Sequence, residues 1–345
     1  MKSLRIAQVA PLFESVPPKY YGGTERVVSY LTEQLVRMSC DVTLFASGDS
    51  VTKARLVAPC KKSLRLDHAL ADHMPYQILH LERVFQHADQ FDVIHFHTDY
   101  LHFPFSRRHQ VPTVTTLHGR LDLPDLVPVF EEFREMPVVS ISDSQRQPLP
   151  WVNWRATVYH GLPQALCGFH ERPGRYLAFL GRISPEKRVD RAIEIAERAG
   201  MQLRIAAKID AVDRAYFESK IAPLFRRSHV EYLGEISETD KEEFLGNAYA
   251  FLFPIDWPEP FGLVMIEAMA RGTPVIAFRG GSVAEVMVEG VTGFVVDNVD
   301  QAVAAVPKVA NLDRRRCRKV FEERFSADRM AADYLSVYQA LVSQR

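Results

Sequence analysis

The chain has few of the features that mark secreted, membrane-spanning or nucleic-acid-binding proteins. Its four cysteines lie far apart and form no C-x-x-C pair, so we expect neither a disulfide framework nor a zinc site. No run approaches the ~18 apolar residues of a membrane-spanning helix, and residues 1–10 are too short for a signal peptide. With 42 basic and 43 acidic residues, there is no basic excess to indicate nucleic acid. We therefore expect a cytoplasmic globular protein.

The most informative segment is a strand-loop-helix-strand unit at residues 250–278. Residues 250–253 form an apolar strand, and two prolines stiffen the acidic loop that follows it. A helix begins near Gly262 and ends near Gly272, just before the next buried strand. In an open α/β sheet, such a unit directs free backbone N–H groups at a ligand above the sheet edge.

Two carboxylates flank the start of that helix. Glu259 lies in the loop, and Glu267 follows eight residues later, more than one turn inside the helix. A helix N-terminus attracts phosphate, and carboxylates accept hydrogen bonds from hydroxyls. The combination predicts a site for a sugar attached to a nucleotide.

Glu259 and Glu267, with Phe261-Gly262-Leu263 between them, form a pattern that resembles the paired-glutamate signature of retaining glycosyltransferases, most closely family four. The resemblance implies an α/β protein of the GT-B fold, in which two Rossmann-like domains face each other across a cleft. It implies that Glu259 lies near the hydroxyls of the transferred sugar and that Glu267 binds the ribose. The backbone of Phe261, Gly262 and Leu263 would contact sugar or phosphate. The Asp256-Trp257 pair stands where the family often has small residues.

Apolar strands and helical patterns alternate in two series, which predicts two parallel sheets. We expect strands at residues 5–10, 42–46, 93–96, 113–117 and 138–141, then at 176–180, 203–207, 230–233, 250–253, 275–278 and 293–296. We expect helices at 24–37, 68–87, 189–199, 213–221, 240–248, 263–271 and 326–343. A Gly/Pro-containing linker at 161–174 separates a domain at 1–162 from a nucleotide-sugar domain at 173–325. The resemblance implies that the last segment, 326–345, packs back on the first domain.

Two groups of residues are predicted to contact the donor diphosphate. Arg182 and Lys187 follow a strand in a G-R-x-x-x-x-K pattern similar to that of the family, and two cations there neutralise phosphate charge. Gly22-Gly23 precede a helix for which Thr24 is the candidate N-cap. The resemblance implies that this glycine loop faces the diphosphate and the acceptor. The preceding insert at residues 15–21 is predicted to form a lid or part of the acceptor site.

Other candidates follow strand ends. His118 matches the histidine that the family places near the 6-position of the sugar, and Ile236 matches a position that contacts the base through backbone groups. The weaker candidates are His95, His97, Asp99 and Asp143; Glu285 is expected to be structural.

No Asp-x-Asp pair occurs, although metal-dependent glycosyltransferases commonly hold a divalent cation with one. Since Arg182, Lys187 and helix N-termini can neutralise the diphosphate, we predict no essential metal and no cofactor. The basic run at 314–319 is either a solvated helix face or a weakly supported contact with anionic lipid.

The sequence thus predicts a retaining hexosyltransferase with a nucleoside diphosphate sugar as donor and an unidentified hydroxyl acceptor, which is a small molecule, a glycan or a lipid-linked sugar. We favour uridine over guanosine, and glucose over mannose or galactose. Catalysis is assigned to His118, Arg182, Lys187 and Glu259, and donor binding to Gly22, Gly23, Ile236, Phe261, Gly262, Leu263 and Glu267. A nucleotide-sugar 2-epimerase and a non-catalytic nucleotide-sugar-binding protein remain as alternatives.

Overall fold

The computed structural model describes residues 3–19, 22–67 and 70–344. It divides the chain into two α/β units, one formed by Met1–Gly161 with Ala327–Arg345 and the other by Leu162–Ser326. Residues 20 and 21 of the predicted lid and residues 68 and 69 of a predicted helix lie outside the described residues.

The first unit is built on a parallel sheet. In the described residues its strands are β1 (Arg5–Val9), β2 (Asp41–Phe45), β3 (Arg55–Val57), β4 (Val93–Phe96), β5 (Thr113–Thr116), β6 (Val138–Ser140) and β7 (Trp154–Thr157), in the order β3-β2-β1-β4-β5-β6-β7. Its helices before residue 161 are α1 (Gly23–Arg37), α2 (Met74–Gln86), α3 (Phe103–Ser106), α4 (Leu126–Glu132) and α5 (Asp143–Arg146), with 3-10 turns at Leu64–Leu66 and Ala88–Gln90.

The second unit repeats this design. Its strands are β8 (Tyr176–Arg182), β9 (Gln202–Lys208), β10 (Val230–Gly234), β11 (Ala250–Phe253), β12 (Val275–Phe278) and β13 (Gly293–Val296), in the order β10-β9-β8-β11-β12-β13. Its helices are α6 (Val189–Arg198), α7 (Arg214–Tyr216), α8 (Glu238–Gly246), α9 (Leu263–Ala270), α10 (Val283–Val286), α11 (Val299–Ala305) and α12 (Arg314–Arg324). Short 3-10 turns lie at Gln164–Leu166, Pro185–Lys187, Ala211–Asp213, Leu224–Arg226 and Val306–Asn311, and a π-helical turn lies at Phe217–Ile221.

The last helix, α13 (Ala327–Ser343), belongs to the first unit. It packs against α1 and β4, and its buried face includes Met330, Tyr334, Val337, Tyr338 and Leu341. The apolar spacing of these five side chains is therefore the spacing of a buried helix face.

Two parallel-sheet Rossmann-like units were predicted, and this prediction is confirmed. The sequence analysis missed β3 and β7, because both are short edge strands whose residues are only partly buried and carry no continuous apolar run. Strand β8 is longer than predicted and includes Arg182, because Arg182 pairs in register with Lys208 of β9.

Two predicted helix starts are wrong. Helix α2 begins at Met74, with Pro75 in its first turn, rather than at residue 68. The N-cap of α1 is Gly22 rather than Thr24. Gly22 has φ +159°, and a Cβ added there would lie 2.7 Å from the Cβ of Pro18, so the chain enters the helix at a point where a side chain does not fit.

The strand order places one topological switch point in each sheet. The order reverses between β1 and β4 in the first unit and between β8 and β11 in the second. Ligands of open α/β sheets bind outside the carboxyl ends of the strands at such points. The loops that follow β8 and β11 contain Lys187 and Glu259, so these two candidates lie beside the switch point of their unit.

A single methyl group at Gly293 is expected to destabilise the second unit. Gly293 has φ +143°, and a Cβ there would lie 1.7 Å from the carbonyl oxygen of Val275 in the neighbouring strand. We expect Gly293→Ala to lower the free energy of unfolding by about 2–3 kcal/mol, because backbone has to move. Urea denaturation measures this. The control is Gly119→Ala, where no heavy atom lies within 4 Å of the added Cβ. Equal stability of the two variants would contradict the packing of β13.

Candidate functional site

In the second unit, Lys187, Glu259 and Trp257 form one hydrogen-bonded group. Lys187 Nζ donates to Glu259 Oε2, and Trp257 Nε1 donates to the same oxygen at 2.9 Å. Lys187 Nζ also lies 4.8 Å from the centre of the Trp257 ring and 5.6 Å from that of Phe253. Glu259 is only 9% exposed. A buried carboxylate requires such partners, and here the cation and the indole N–H both satisfy one of its oxygens.

The loop that carries Glu259 is held by the turn after β12. The backbone N–H of Ser282 donates to the carbonyl oxygen of Glu259 at 2.9 Å, and Ser282 Oγ donates to the carbonyl oxygen of Phe261 at 2.8 Å. A Cβ at Gly281 would lie 2.2 Å from the carbonyl oxygen of Glu259, so only glycine permits this close approach. The glycine turn at 280–282 therefore supports the acidic loop.

Helix α9 opens with its backbone N–H groups at the same edge of the sheet. Gly262 is its N-cap in the left-handed conformation, with φ 80°, and Leu263 is its first residue. Phe261 is buried just before it. The first N–H groups of a helix have no intrahelical partner and form the positive end of its dipole. The structure thus brings Phe261, Gly262 and Leu263 into the loop that also carries Glu259.

Glu267, the fifth residue of α9, is 4% exposed and is paired with a lysine. Lys241 Nζ donates to Glu267 Oε1 at 2.9 Å and lies 3.1 Å from a carboxylate oxygen of Glu238. Lys241 sits in the first turns of α8, whose N-cap Ser237 forms a capping box with Asp240. Half-buried Ile236 directly precedes that cap.

The sequence analysis missed Lys241. A buried carboxylate needs a partner, so a glutamate inside a mostly apolar helix is a signal that a cation lies nearby. The capping box at 237–240 marks the start of α8 and places Lys241 near the carboxyl end of β10.

Arg182 is surrounded by carboxylates. Its guanidinium donates to Glu186 at 2.5 Å and lies 3.2 Å from Asp213 and 3.8 Å from Asp210. Burial raises the pKa of Asp213, and the charge of Arg182 only partly offsets this. Any anionic ligand of Arg182 has to compete with these three carboxylates.

In the first unit, the glycine loop and His118 follow two different strands. Gly22 and Gly23 open α1 after β1, and His118 lies just beyond β5. Glu25, in the first turn of α1, is buried, and burial raises its pKa.

His118 belongs to a buried polar network. Its Nε2 lies 2.9 Å from His97 Nδ1, and His97 Nε2 lies 2.9 Å from the amide oxygen of Gln8. Gln8 in turn donates to the hydroxyl of Tyr338 on α13 at 2.9 Å. Burial lowers the pKa of His118 to about 3 and that of His97 well below its ordinary range, so both rings are neutral at pH 7.

This network fixes the tautomers. With the Gln8 amide donating to Tyr338, its oxygen can only accept, so His97 donates from Nε2 and accepts at Nδ1. His118 then donates from Nε2 and keeps its lone pair on Nδ1. Gln8 was another signal that the sequence analysis did not use, because a glutamine inside a buried strand requires polar partners.

The weaker candidates of the first unit occupy different surroundings. His95 is fully buried, with Nδ1 2.7 Å from the Tyr338 hydroxyl and Nε2 2.7 Å from Thr116 Oγ1. Asp99 has a positive φ of 50°, and Asp143 begins α5 and accepts from Thr157 Oγ1. His95 is therefore part of the packing between β4, β5 and α13. Glu285, in the second unit, lies in α10.

The basic run at 314–319 is not a fully solvated helix face. Arg314 is 6% exposed and donates to backbone oxygens of His170, Ala248 and Gly246. Arg318 donates to the carbonyl oxygens of Cys167 and Ala270. Two of the six residues are thus occupied by internal hydrogen bonds and are unsuited to lipid contact.

Two kinds of feature are absent from the described part of the chain. No helix there is both long and apolar enough to cross a membrane. Over the same residues, no group of three or more His, Cys, Asp or Glu side chains is arranged to hold a metal ion.

Two family models match this chain. Residues 21–159 match Glycosyltransferase Family 4, and residues 170–323 match Glycosyl transferases group 1. The chain therefore belongs to the glycosyltransferases of the family four type with the GT-B fold, and the predicted family is confirmed.

A named relative agrees with this assignment. The chain is similar to the GDP-mannose-dependent alpha-(1-6)-phosphatidylinositol dimannoside mannosyltransferase of Mycobacterium tuberculosis, with 31% identity over 173 residues, 48% of this chain and 44% of that protein. The chain spans about half the length of the curated relatives it matches.

Solved structures share the fold over almost the whole chain. Sucrose-phosphate synthase from Thermosynechococcus elongatus has a TM-score of 0.80 at 17% identity, over 99% of this chain and 100% of that one. Anabaena Alr3699/HepE, in complex with UDP and glucose, has a TM-score of 0.73 at 16% identity, over 98% and 100%. At these identities the likeness shows the fold, and it confirms the predicted GT-B class.

The buried neutral histidines are expected to make stability depend on pH. His80 is fully buried, donates to the carbonyl oxygen of Ala10 at 2.9 Å, and has a pKa lowered to about 4 by burial. In the unfolded chain the pKa is about 6.5, so unfolding takes up a proton below that pH. Stability is therefore complete above pH 6.5 and is lost as the pH falls toward 4.

For His80 alone, the loss between pH 6.5 and pH 5 is about 2 kcal/mol. His80→Gln retains a donor for Ala10 and is expected to flatten the slope of unfolding free energy against pH by about one proton. Urea denaturation from pH 5 to 8 measures the slope. His109→Gln, at an exposed position, is the matched control. An unchanged slope in His80→Gln would contradict a neutral buried ring.

Proposed function

We propose that this protein is a retaining glycosyltransferase that moves a hexose from a nucleoside diphosphate sugar to a hydroxyl acceptor. The observation that carries the proposal is the group at the carboxyl edge of the second sheet. There, Lys187 and Glu259 share a hydrogen bond beside the first N–H groups of α9, and buried Glu267 lies just over one turn further along the same helix. Family membership supports the same reaction class.

The departing diphosphate is the centre of the proposed mechanism. Lys187, Arg182 and the N-terminal N–H groups of α9 stabilise its developing charge, which lowers the barrier to cleavage of the bond to the sugar. A phosphate oxygen of the leaving group then takes the proton of the acceptor hydroxyl on the same face, which gives retention. No carboxylate is assigned as a covalent nucleophile, so the two-carboxylate scheme of glycoside hydrolases is not used.

The remaining site residues position the donor. Glu259 accepts from a hydroxyl of the transferred sugar, and Glu267 accepts from the ribose hydroxyls alongside its bond from Lys241. The backbone next to Ile236 contacts the base. In the first unit, the neutral ring of His118 bonds the 6-hydroxyl of the sugar, and Gly22 and Gly23 allow close approach of backbone to donor and acceptor.

We propose UDP-glucose as the donor. A structure of the same fold, HepE, is in complex with UDP and glucose, which supports this choice. The mannosyltransferase from Mycobacterium tuberculosis is GDP-mannose-dependent, and this makes guanosine and mannose the main competitors. The acceptor is a small molecule, a glycan or a lipid-linked sugar. The 2-epimerase alternative is not favoured, because the chain matches glycosyltransferase family models and is similar to a mannosyltransferase.

Removal of Glu267 is expected to weaken nucleotide binding. We expect wild-type protein to bind one of UDP, GDP and ADP selectively, and Glu267→Ala to bind it about 10- to 100-fold more weakly, because bonds to a charged acceptor are lost. Isothermal titration calorimetry measures both, with thermal unfolding as a check on folding. Glu131→Ala, on an exposed helix of the first unit, is the control. Binding to none of the three nucleotides, or binding indifferent to Glu267, would favour the non-catalytic alternative.

Chelation is expected to leave donor binding unchanged. Since protein cations and the α9 N-terminus neutralise the diphosphate in this proposal, the dissociation constant for UDP-glucose in EDTA stays within about twofold of that without EDTA. Titration with added Mg²⁺ or Mn²⁺ is the comparison. Binding that disappears in EDTA and returns with either cation would show that a metal is required.

A further inference from the structure

Glu259 uses its two carboxylate oxygens unequally. Oε2 accepts from both Lys187 Nζ and Trp257 Nε1. Oε1 accepts no hydrogen bond from the described part of the chain. A carboxylate held in this way presents one oxygen to a ligand hydroxyl, while the other fixes its orientation.

Lys187 and Trp257, the two donors to Oε2, respond differently when the donor substrate binds in the proposed reaction. Lys187 is also assigned to the diphosphate, so donor binding draws its ammonium toward phosphate oxygens. An indole N–H is a donor only and carries no net charge, so the diphosphate attracts it less strongly than it attracts the ammonium of Lys187. When Lys187 turns to the diphosphate, Trp257 remains the partner of Oε2.

The loop does not need the indole N–H for its own shape. The backbone N–H of Asp256 donates to the carbonyl oxygen of Glu186 at 2.9 Å, and the side chain of Asp256 accepts from Arg188 and Arg191 at 2.9 and 3.2 Å. Ser282 holds the other side of the loop through the carbonyl oxygen of Glu259. Trp257 itself is only partly buried. Its N–H therefore acts on the Glu259 side chain rather than on the fold.

We infer that Trp257 is a positioning residue for the donor sugar: its indole N–H holds Glu259 so that Oε1 meets a sugar hydroxyl, and its ring face steadies Lys187. This inference rests on the proposed function, because it requires a sugar nucleotide in the site. Trp257 stands where the family often has a small residue, and this inference gives that difference a role in sugar recognition. The nucleotide part of the donor does not depend on it.

The decisive comparison is Trp257→Phe, which keeps an aromatic ring near Lys187 and removes the N–H. We expect this variant to bind UDP within about twofold of wild type and to bind UDP-glucose about 10- to 100-fold more weakly, the size of a lost bond to a charged group. Calorimetry with UDP, UDP-glucose, GDP and GDP-mannose measures the difference. Trp154→Phe is the matched control, because Trp154 Nε1 donates to the carbonyl oxygen of Leu149 in the first unit at 2.9 Å.

The outcomes separate the two proposals. If wild type binds no nucleotide and no sugar nucleotide, the proposed function fails and this inference fails with it. If wild type binds both probes and Trp257→Phe binds the sugar nucleotide as tightly as wild type does, this inference alone is overturned. Equal weakening of UDP and UDP-glucose also overturns it, because that result indicates a general loss of structure.

A second measurement observes the native Trp257 and does not require Trp257→Phe to fold. The chain has three tryptophans, Trp151, Trp154 and Trp257, so ¹⁵N-labelled wild type gives three indole N–H signals. We expect UDP-glucose to shift the Trp257 signal more than UDP does, and Glu259→Gln to shift it in the absence of ligand. A Trp257 signal that ignores Glu259→Gln would show that the bond to Oε2 is absent and would overturn the inference.

Discussion

The arrangement of the second unit depends on one constraint: a buried carboxylate must be paired with a cation or a hydrogen-bond donor. Glu259 and Glu267 lie at the carboxyl edge of its sheet with little exposure, and each is held by a lysine from a neighbouring loop or helix. Burial without such a partner costs several kcal/mol per charge, so Lys187 and Lys241 are part of the architecture as well as of the site. The positive end of α9 adds to the same balance of charge. A site built this way is strongly polar before any ligand arrives.

The interior of the first unit contains buried polar side chains that are neutral instead of charged. Its sheet contains histidines, a glutamine and hydroxyls where apolar side chains are the rule, and burial together with the proximity of other histidines lowers the histidine pKa values and keeps the rings neutral. A chain of neutral donors and acceptors avoids the desolvation cost of charge but fixes each group in one orientation. Within this hydrogen-bonded network, His118 is the histidine that is only partly buried. Its hydrogen-bonding character is therefore set by groups as far away as Tyr338.

Much of this was accessible from the sequence because it is local. Apolar runs predicted the central strands, and the glycine and proline positions predicted the turn into α9. Lys187 and Glu259 follow strands that are neighbours in the sheet, so their proximity follows from topology once the strands are known. The pairing of Lys241 with Glu267 and the hydrogen bonds of Tyr338 could not be predicted from the sequence. They join side chains on different elements, and no local sequence pattern shows which elements lie side by side. Edge strands β3 and β7 were missed for a different reason: half-exposed strands lack a hydrophobic signature.

The place of α13 affects how the chain is assembled during synthesis. The hydrogen bond from Gln8 to Tyr338 spans 330 positions, and that between Thr116 and Tyr334 spans 218. The second unit is continuous in sequence, whereas the first unit lacks the partners of its polar interior until α13, which follows the second unit, has left the ribosome. Residues 1–161 are thus translated before the second unit, but the first unit is completed after it. Until then His95 and Thr116 are without their tyrosine partners, so the polar interior of the first unit stays incomplete while the second unit is being made.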